Sequence, residues 1–359
     1  MSTSSSRDFV DLTGNIEESS VVTLRFPNKN GLGVTWDRSS REGIGEEETR
    51  HVRVIRSESI SFKAVQQCDI VVTELLGSGG FGKVFLGKWF DMDLAIKVMS
   101  GKLIKSAVSN NSGSNWQDCY ASEKKILNLK HANIVRTLAM SLRNAYPDEP
   151  IYVFQEYGGG RNLNQVMESP GERFSPRRLL SFLGNVVSGL NYIHANGIIH
   201  NDIKPANIII TSKNVPKIAD FGCCISALKA ATANPDPTKV QLSLHVPGTP
   251  PYTAPELFCG ARATKKCDIY SLAICLWQLW MWRMDPYPGL KQPHVLIYCV
   301  VKSNRRPEWS GEEEEEETSE FREEYVQMTK QNWSKEPKMR QNTRQVLKFI
   351  KKWRVKINV

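Results

Sequence analysis

The segment His200-Asn201-Asp202-Ile203-Lys204-Pro205-Ala206-Asn207, followed by Asp220-Phe221-Gly222, narrows the folds open to this chain more than any other feature. It offers one carboxylate able to take a hydroxyl proton and one lysine able to neutralise a phosphoryl oxygen. An amide and a second carboxylate, 18 positions after the first, are suited to holding a hard cation. Phosphoryl transfer from a nucleotide calls for this set, because positioning and charge neutralisation are nearly all that a protein contributes to it. The upstream parts of such a site are present too, and in the matching order.

The first of these parts is a glycine-rich turn made of Gly77, Ser78, Gly79, Gly80, Phe81 and Gly82. Taken alone, G-x-G-x-x-G is shared with dinucleotide-binding folds. The flanks decide between the two. Apolar, β-prone Ile70-Val71-Val72-Thr73 precedes the turn and Val84-Phe85-Leu86 follows it, so it joins two strands and no helix opens at the third glycine. Without a Cβ, backbone amides of such a turn can come close to phosphates.

Next comes Leu94-Ala95-Ile96-Lys97-Val98, which sets a lysine inside an apolar strand. A lysine placed there is costly unless an anion meets it. Glu123, in a segment with helical apolar spacing at Ile126 and Leu127, is the expected carboxylate, and His131 to Val135 reads as the turn and strand that follow.

The order of glycine turn, Ala95-x-Lys97, helical Glu123, the Asp202 loop, Asp220-Phe221-Gly222 and Ala254-Pro255-Glu256 resembles the eukaryotic protein kinases over residues 68 to 353. Asp220-Phe221-Gly222-Cys223, the run Asp268 to Gln278, and Tyr287 to Val301 resemble the Mos group of serine/threonine kinases. The resemblance implies an α+β fold of two lobes, a small β-rich N-lobe and a larger helical C-lobe. It also implies ATP and Mg2+ as the nucleotide and metal. Asp202 would deprotonate the substrate hydroxyl, Lys204 would face the transferred phosphoryl group, and Asn207 and Asp220 would hold the metal. Lys97 would contact the α- and β-phosphates with Glu123 steadying it. Backbone groups of Glu156 and Gly158 would pair with the purine edge, while Val84, Ala95 and Ile209 would enclose the ring and Gln155 would stand behind it. Glu256 would pair with Arg340, and Asp268 would hold the backbone of the catalytic loop.

The same resemblance implies an ATP:protein phosphotransferase acting on MAP-kinase kinase and regulating oocyte meiosis. Two other readings stay open: an active serine/threonine kinase of another group, and a scaffold that uses the fold only for binding. Two departures from the common pattern carry further expectations. Asn201 stands where most kinases have an arginine, so no buried cation there needs a phosphate on the activation segment. Thr232, Thr238 and Ser243 should therefore be dispensable as phosphorylation sites. Asn162 and Ala206 stand where arginine-reading kinases carry glutamates, so a basic-motif preference is not expected.

Composition adds bounds. The 359 residues, 40% hydrophobic, suffice for one two-lobed domain and a tail. Eight cysteines lack C-x-x-C or metal spacing and read as reduced thiols; Cys223 reads as buried and inert, with Cys224 too close in sequence for an easy disulfide. No apolar leader opens the sequence, and the apolar run Leu272 to Trp282 is too short to span a bilayer, so it reads as the buried central helix of the large lobe. A cytoplasmic monomer is expected. The net charge of +9 is concentrated beyond residue 70, partly in a final amphipathic helix where Lys348, Lys351, Lys352, Arg354 and Lys356 flank Phe349, Ile350 and Trp353. Nucleic-acid binding is not expected.

The boundaries follow. Residues 1–66 are expected to be a mostly disordered tail with one strand-like island, Val21 to Phe26. Residues 67–356 form the kinase-like domain, divided into 67–156 and 157–356 at the break Glu156-Tyr157-Gly158-Gly159-Gly160. Ser106 to Ser114 reads as a flexible insertion, and the six glutamates Glu312 to Glu317 as a solvated loop.

Overall fold

The computed structural model describes residues 20–26, 48–56, 67–79, 82–89, 91–99, 116–141, 150–227, 246–309 and 319–357. Gly80, Phe81, Ser106 to Ser114, Glu312 to Glu317, Thr232, Thr238 and Ser243 lie outside the described residues, as does the tail apart from two strands. The chain divides into two compact units, one of Met1–Gly101 with Thr137–Glu156 and the other of Lys102–Arg136 with Tyr157–Val359.

In the first unit, β1 (Ser20–Phe26), β2 (Glu48–Arg56), β3 (Gln67–Gly79), β4 (Gly82–Trp89), β5 (Met92–Met99), β6 (Thr137–Ser141) and β7 (Ile151–Glu156) form a closed barrel. Their order around it is β1-β2-β6-β7-β5-β4-β3. Alternation sends Val22, Leu24, Val52, Val54, Ile70, Val72, Phe85, Leu94, Ile96 and Val98 inward, and with Trp89, Ala139, Tyr152 and Phe154 they make one core. Burying a side chain of this kind contributes about 1.5–3 kcal/mol.

This changes one part of the reading of residues 1–66, that of a single strand-like island. Val21 to Phe26 is a strand as read, but Glu48–Arg56 is a second one, and both belong to the barrel. The second strand is hard to read in sequence because, among its described side chains, Val52 and Val54 join the core and lie among charged neighbours. Its pairing partners are also remote in sequence.

The second unit holds α1 (Trp116–Ile126), β8 (Arg161–Asn162), α2 (Leu163–Glu168), α3 (Pro176–Ala195), β9 (Ile198–Ile199), β10 (Ile208–Ile210), β11 (Pro216–Ile218) and β12 (Ile225–Ser226). After these come α4 (Pro255–Phe258), α5 (Lys265–Met281), α6 (Pro293–Val301), α7 (Ser319–Asn332) and α8 (Thr343–Lys356). The segment carrying α1, read as part of the small lobe, groups with this unit instead. Ile126, Leu129 and Ile134 enter its core, and Val135 and Ile218, then Ile218 and Asn133, exchange backbone hydrogen bonds of 2.8 and 2.9 Å.

Helix ends follow from local chemistry. Ser175 caps α3 with Pro176 in its first turn, and the Thr264 side chain caps α5. Helix α5 is apolar nearly all round and buried along Cys267 to Leu279, as a central helix must be. Helix α8 has the amphipathic pattern expected of it: Val346, Ile350 and Trp353 face inward, and Lys348, Lys351 and Lys352 outward. No helix among the described residues is long and apolar enough to cross a membrane.

Candidate active site

Each unit carries part of the residue set expected from the sequence. In the barrel, the turn between β3 and β4 ends with the pairs Gly77↔Val84, Ser78↔Lys83 and Gly79↔Gly82. Gly82 has a φ of +145°, and a Cβ there would lie 2.1 Å from the carbonyl oxygen of Val98, so only glycine lets β4 pass β5 this closely. Val84 lies opposite Lys97, and Ala95 opposite both Leu86 and Gln155. Paired residues share a sheet face, so Val84, Ala95, Lys97 and Gln155 stand on the side away from the core formed by Phe85, Leu94, Ile96 and Val98. Lys97 is buried all the same, at 5% exposure. Glu156 closes β7, its backbone beside Leu94.

In the second unit, the segment after Glu156 lies along β10. A Cβ on Gly158 would fall 3.6 Å from Ile209 Cγ2, and one on Gly160 would collide with the Ile210 carbonyl at 1.7 Å. Asn162 pairs with Ile209, and its side chain caps α2 by accepting from the Gln165 amide at 3.0 Å.

The loop before β10 holds a dense polar network. Asp202 Oδ2 accepts from Lys204 Nζ at 2.8 Å and from Asn207 Nδ2 at 3.0 Å, while Asp202 Oδ1 accepts from the Thr249 hydroxyl at 2.8 Å. The Thr249 oxygen in turn accepts from Lys204 Nζ at 2.7 Å. Asn207 Nδ2 also donates to the Asp202 carbonyl at 2.9 Å, which folds the loop back on itself. A buried carboxylate in such a place needs this full set of donors.

Asp268, fully buried on α5, carries the loop from beneath. It accepts from the amides of His200 and Asn201 at 2.9 and 2.7 Å and from His194 Nε2 at 2.7 Å. Burial pushes its carboxyl up, but the hydrogen bond and charge of His194, with His200 and the Asn201 amide, outweigh burial and hold it below the ordinary carboxylate value. Asn201 takes a left-handed φ of 65° and is buried with no charge to satisfy.

Asp220 has a φ of 59°, and its Oδ1 accepts from the Gly222 amide at 3.4 Å. It is tied to the loop through the Ala219 amide, which donates to the Asn207 carbonyl at 2.9 Å, and through His200, which donates to the Ala219 carbonyl at 3.1 Å. Phe221 is fully buried with its ring 5.0 Å from that of His200. Burial pushes the Cys224 thiol well up, helped by the negative charges of Asp268, Glu123 and Asp220, so it is an inert thiol beside the site. Glu123 itself is fully buried on α1.

Glu256 and Arg340 form the expected pair, with guanidinium nitrogens 2.6 and 2.7 Å from the two carboxylate oxygens. The structure thus joins Asp202, Lys204 and Asn207 directly and Asp220 through one intervening residue. Lys97 and Glu123 belong to different units. Sequence reasoning missed Thr249 and His194 as members of the network. Thr249 lies 45 positions from Lys204, so no local pattern links the two.

As for a metal, no cluster of three or more His, Cys, Asp or Glu among the described residues could hold one. The Asn207 amide and the Asp220 carboxylate supply two hard oxygen donors. That set fits Mg2+, which keeps waters and substrate phosphates as its other ligands.

Comparison with known proteins gives the family. Residues 70–350 match the protein kinase domain family. The chain is 35% identical over 244 residues to a serine/threonine-protein kinase mos of Patiria pectinifera, covering 68% of this chain and 65% of that one. It is 37% identical over 256 residues to the proto-oncogene serine/threonine-protein kinase mos of Sus scrofa, covering 67% and 69%. The Mus musculus protein of the same name is 36% identical over 248 residues, covering 66% and 67%. The chain thus spans about two thirds of the length of these curated relatives. It belongs to the protein kinase family, as a serine/threonine kinase related to Mos.

Proposed function

We propose that this chain transfers the γ-phosphoryl group of ATP to serine or threonine hydroxyls of a MAP-kinase kinase, as a MAP-kinase-kinase kinase regulating oocyte meiosis. The observation that carries the enzymatic part is the Asp202 network. Lys204, Asn207 and Thr249 hold both carboxylate oxygens, so the acceptor of the hydroxyl proton is fixed in place before substrate arrives. Lys204 sits beside that carboxylate, where its charge offsets charge developing on the transferred group. Asn207 and Asp220 hold Mg2+ in this reading, and the ion neutralises the phosphates.

In this reading Val84 and Ala95 of the barrel meet the adenine, and Gly77 to Gly82 cover the phosphates. Lys97, in the same reading, contacts the α- and β-phosphates. The choice of MAP-kinase kinase, the meiotic role and a cytoplasmic, monomeric state rest on relationship to Mos alone. The lack of a carboxylate at Asn162 and Ala206 supports recognition of a folded protein over a basic peptide.

The test is phosphorylation of purified MAP-kinase kinase by wild type, Lys97→Arg and Asp202→Asn. Transfer by wild type and loss in both variants is expected. Transfer that survives Asp202→Asn would overturn the assignment of the base. Transfer only to unrelated proteins would overturn the substrate.

A further inference from the structure

Strands β1 and β2 lie outside the 70–350 segment that matches the family, yet they complete its sheet. Without them, β3, β4, β5, β7 and β6 would form an open sheet with two bare edges, at β3 and β6. Strand β1 runs parallel to the start of β3, from Val21↔Gln67 to Arg25↔Val71. Strand β2 runs antiparallel to β6, from Val54↔Ser141 to Arg56↔Ala139. The two pair with each other from Ser20↔Val54 to Phe26↔Glu48, and the ring is closed. A closed barrel leaves no edge of unpaired amides and carbonyls.

Packing independently supports the same conclusion. Leu24 and Val54, at 0% and 1% exposure, share one core with Phe85, Ile96 and Val98 of the family's own strands. Polar contacts lock the register: Arg25 bridges Asp69 at 2.9 Å, Arg50 donates to the Tyr152 hydroxyl at 3.3 Å, and the Thr23 hydroxyl meets His51 Nδ1 at 3.1 Å.

Strand β3 therefore has two ends of different character. Residues 67–71 are held by β1, and Gly77 and Gly79 begin the turn that covers nucleotide phosphates in the proposed function. Between them the β3–β4 register slips twice, at Val72/Glu74 and at Leu75/Gly77. Such irregularities bend and loosen a strand, so its aim depends on where its base is anchored. We propose that β1 and β2 are a built-in clamp that anchors the base of β3 and so positions the glycine turn for the phosphoryl donor. The pair is a positioning element and touches no substrate. Its effect on the donor rests on the kinase reading, while its effect on β3 does not.

The test uses the full chain as wild type, Leu24→Pro, which breaks β1 between its two neighbours, and the milder Leu24→Ala. Amide exchange by mass spectrometry reads β1 and residues 67–71, with α5 as internal reference. In wild type, β1 is expected to exchange as slowly as β5. In Leu24→Pro, exchange of residues 67–71 should quicken about tenfold or more while α5 is unchanged. The KM for ATP should rise about fivefold with kcat held within about twofold, the split expected when donor binding and not the chemical step is affected. Should Leu24→Pro not fold, Leu24→Ala is expected to show the same changes at smaller size. Unprotected β1 amides in wild type, or residues 67–71 left unchanged in the folded variants, would overturn the clamp. A chain whose exchange behaves as expected but which transfers no phosphate would instead count against the kinase reading.

Discussion

Replacing Thr249 by valine removes a hydroxyl and little else, since the two side chains have nearly the same shape. That hydroxyl donates to Asp202 at 2.8 Å and accepts from Lys204 at 2.7 Å, so one oxygen holds both groups that carry the proposed reaction. A hydrogen bond to a charged group contributes about 1.5–3 kcal/mol. Asp202 keeps its contacts to Lys204 and Asn207, so part of that is retained through the remaining donors. A loss of about 1.4–2.7 kcal/mol of transition-state stabilisation corresponds to a roughly 10- to 100-fold lower kcat. The KM for ATP should move by less than about twofold, because the lost bonds lie at the acceptor side. Thr249→Ser restores the hydroxyl and should stay within about threefold of wild type. Steady-state phosphotransfer with saturating protein substrate measures all three enzymes. Wild-type kcat in Thr249→Val, or a serine variant as impaired as the valine one, would refute the reasoning.

Three further outcomes are expected. Arg340→Ala leaves Glu256 without its bidentate partner, and breaking a buried pair of this kind costs about 3–5 kcal/mol, read as a lower urea midpoint; an unchanged midpoint would show the pair to be dispensable. For Asp268, the folded-state value lies below the unfolded value of about 3.9. Its contribution is thus fully present above that pH and is lost as pH falls through the folded value. Urea midpoints taken from pH 7 to pH 3 should fall more steeply in wild type than in Asp268→Asn, and parallel curves would contradict the sign. Third, replacing Thr232, Thr238 and Ser243 together by alanine should leave kcat nearly unchanged, because neutral Asn201 presents no cation for a phosphate to meet; a loss beyond about tenfold, roughly 1.4 kcal/mol, would refute this.

What could be read from the sequence was local, or fixed by motif spacing. Asp202, Lys204 and Asn207 fall within six residues, and such a loop brings them together whatever surrounds it. The buried helix α5 and the amphipathic α8 show in apolar periodicity, which burial enforces directly. The Glu256–Arg340 pair spans 84 positions and was legible only through family resemblance. The parallel pairing of β1 with β3 had no such guide. Nothing in Val22 and Leu24 names Cys68 and Ile70 as their partners, and the charged residues of β2 conceal a strand with one buried face. Thr249 was obscure for the same reason, since its function depends on a fold that carries it back to Lys204. The placement of α1 follows from Ile126, Leu129 and Ile134, whose apolar character did not say which core would take them.

The most direct measurement is a crystal structure of the chain with Mg2+ and a non-hydrolysable ATP analogue. The account predicts the Lys97 amine on the α- and β-phosphates, oxygens of Asn207 and Asp220 on the metal, and the Asp202 carboxylate facing the γ-phosphate. An analogue bound with Lys97, Asp202 and Asp220 on separate surfaces would contradict it.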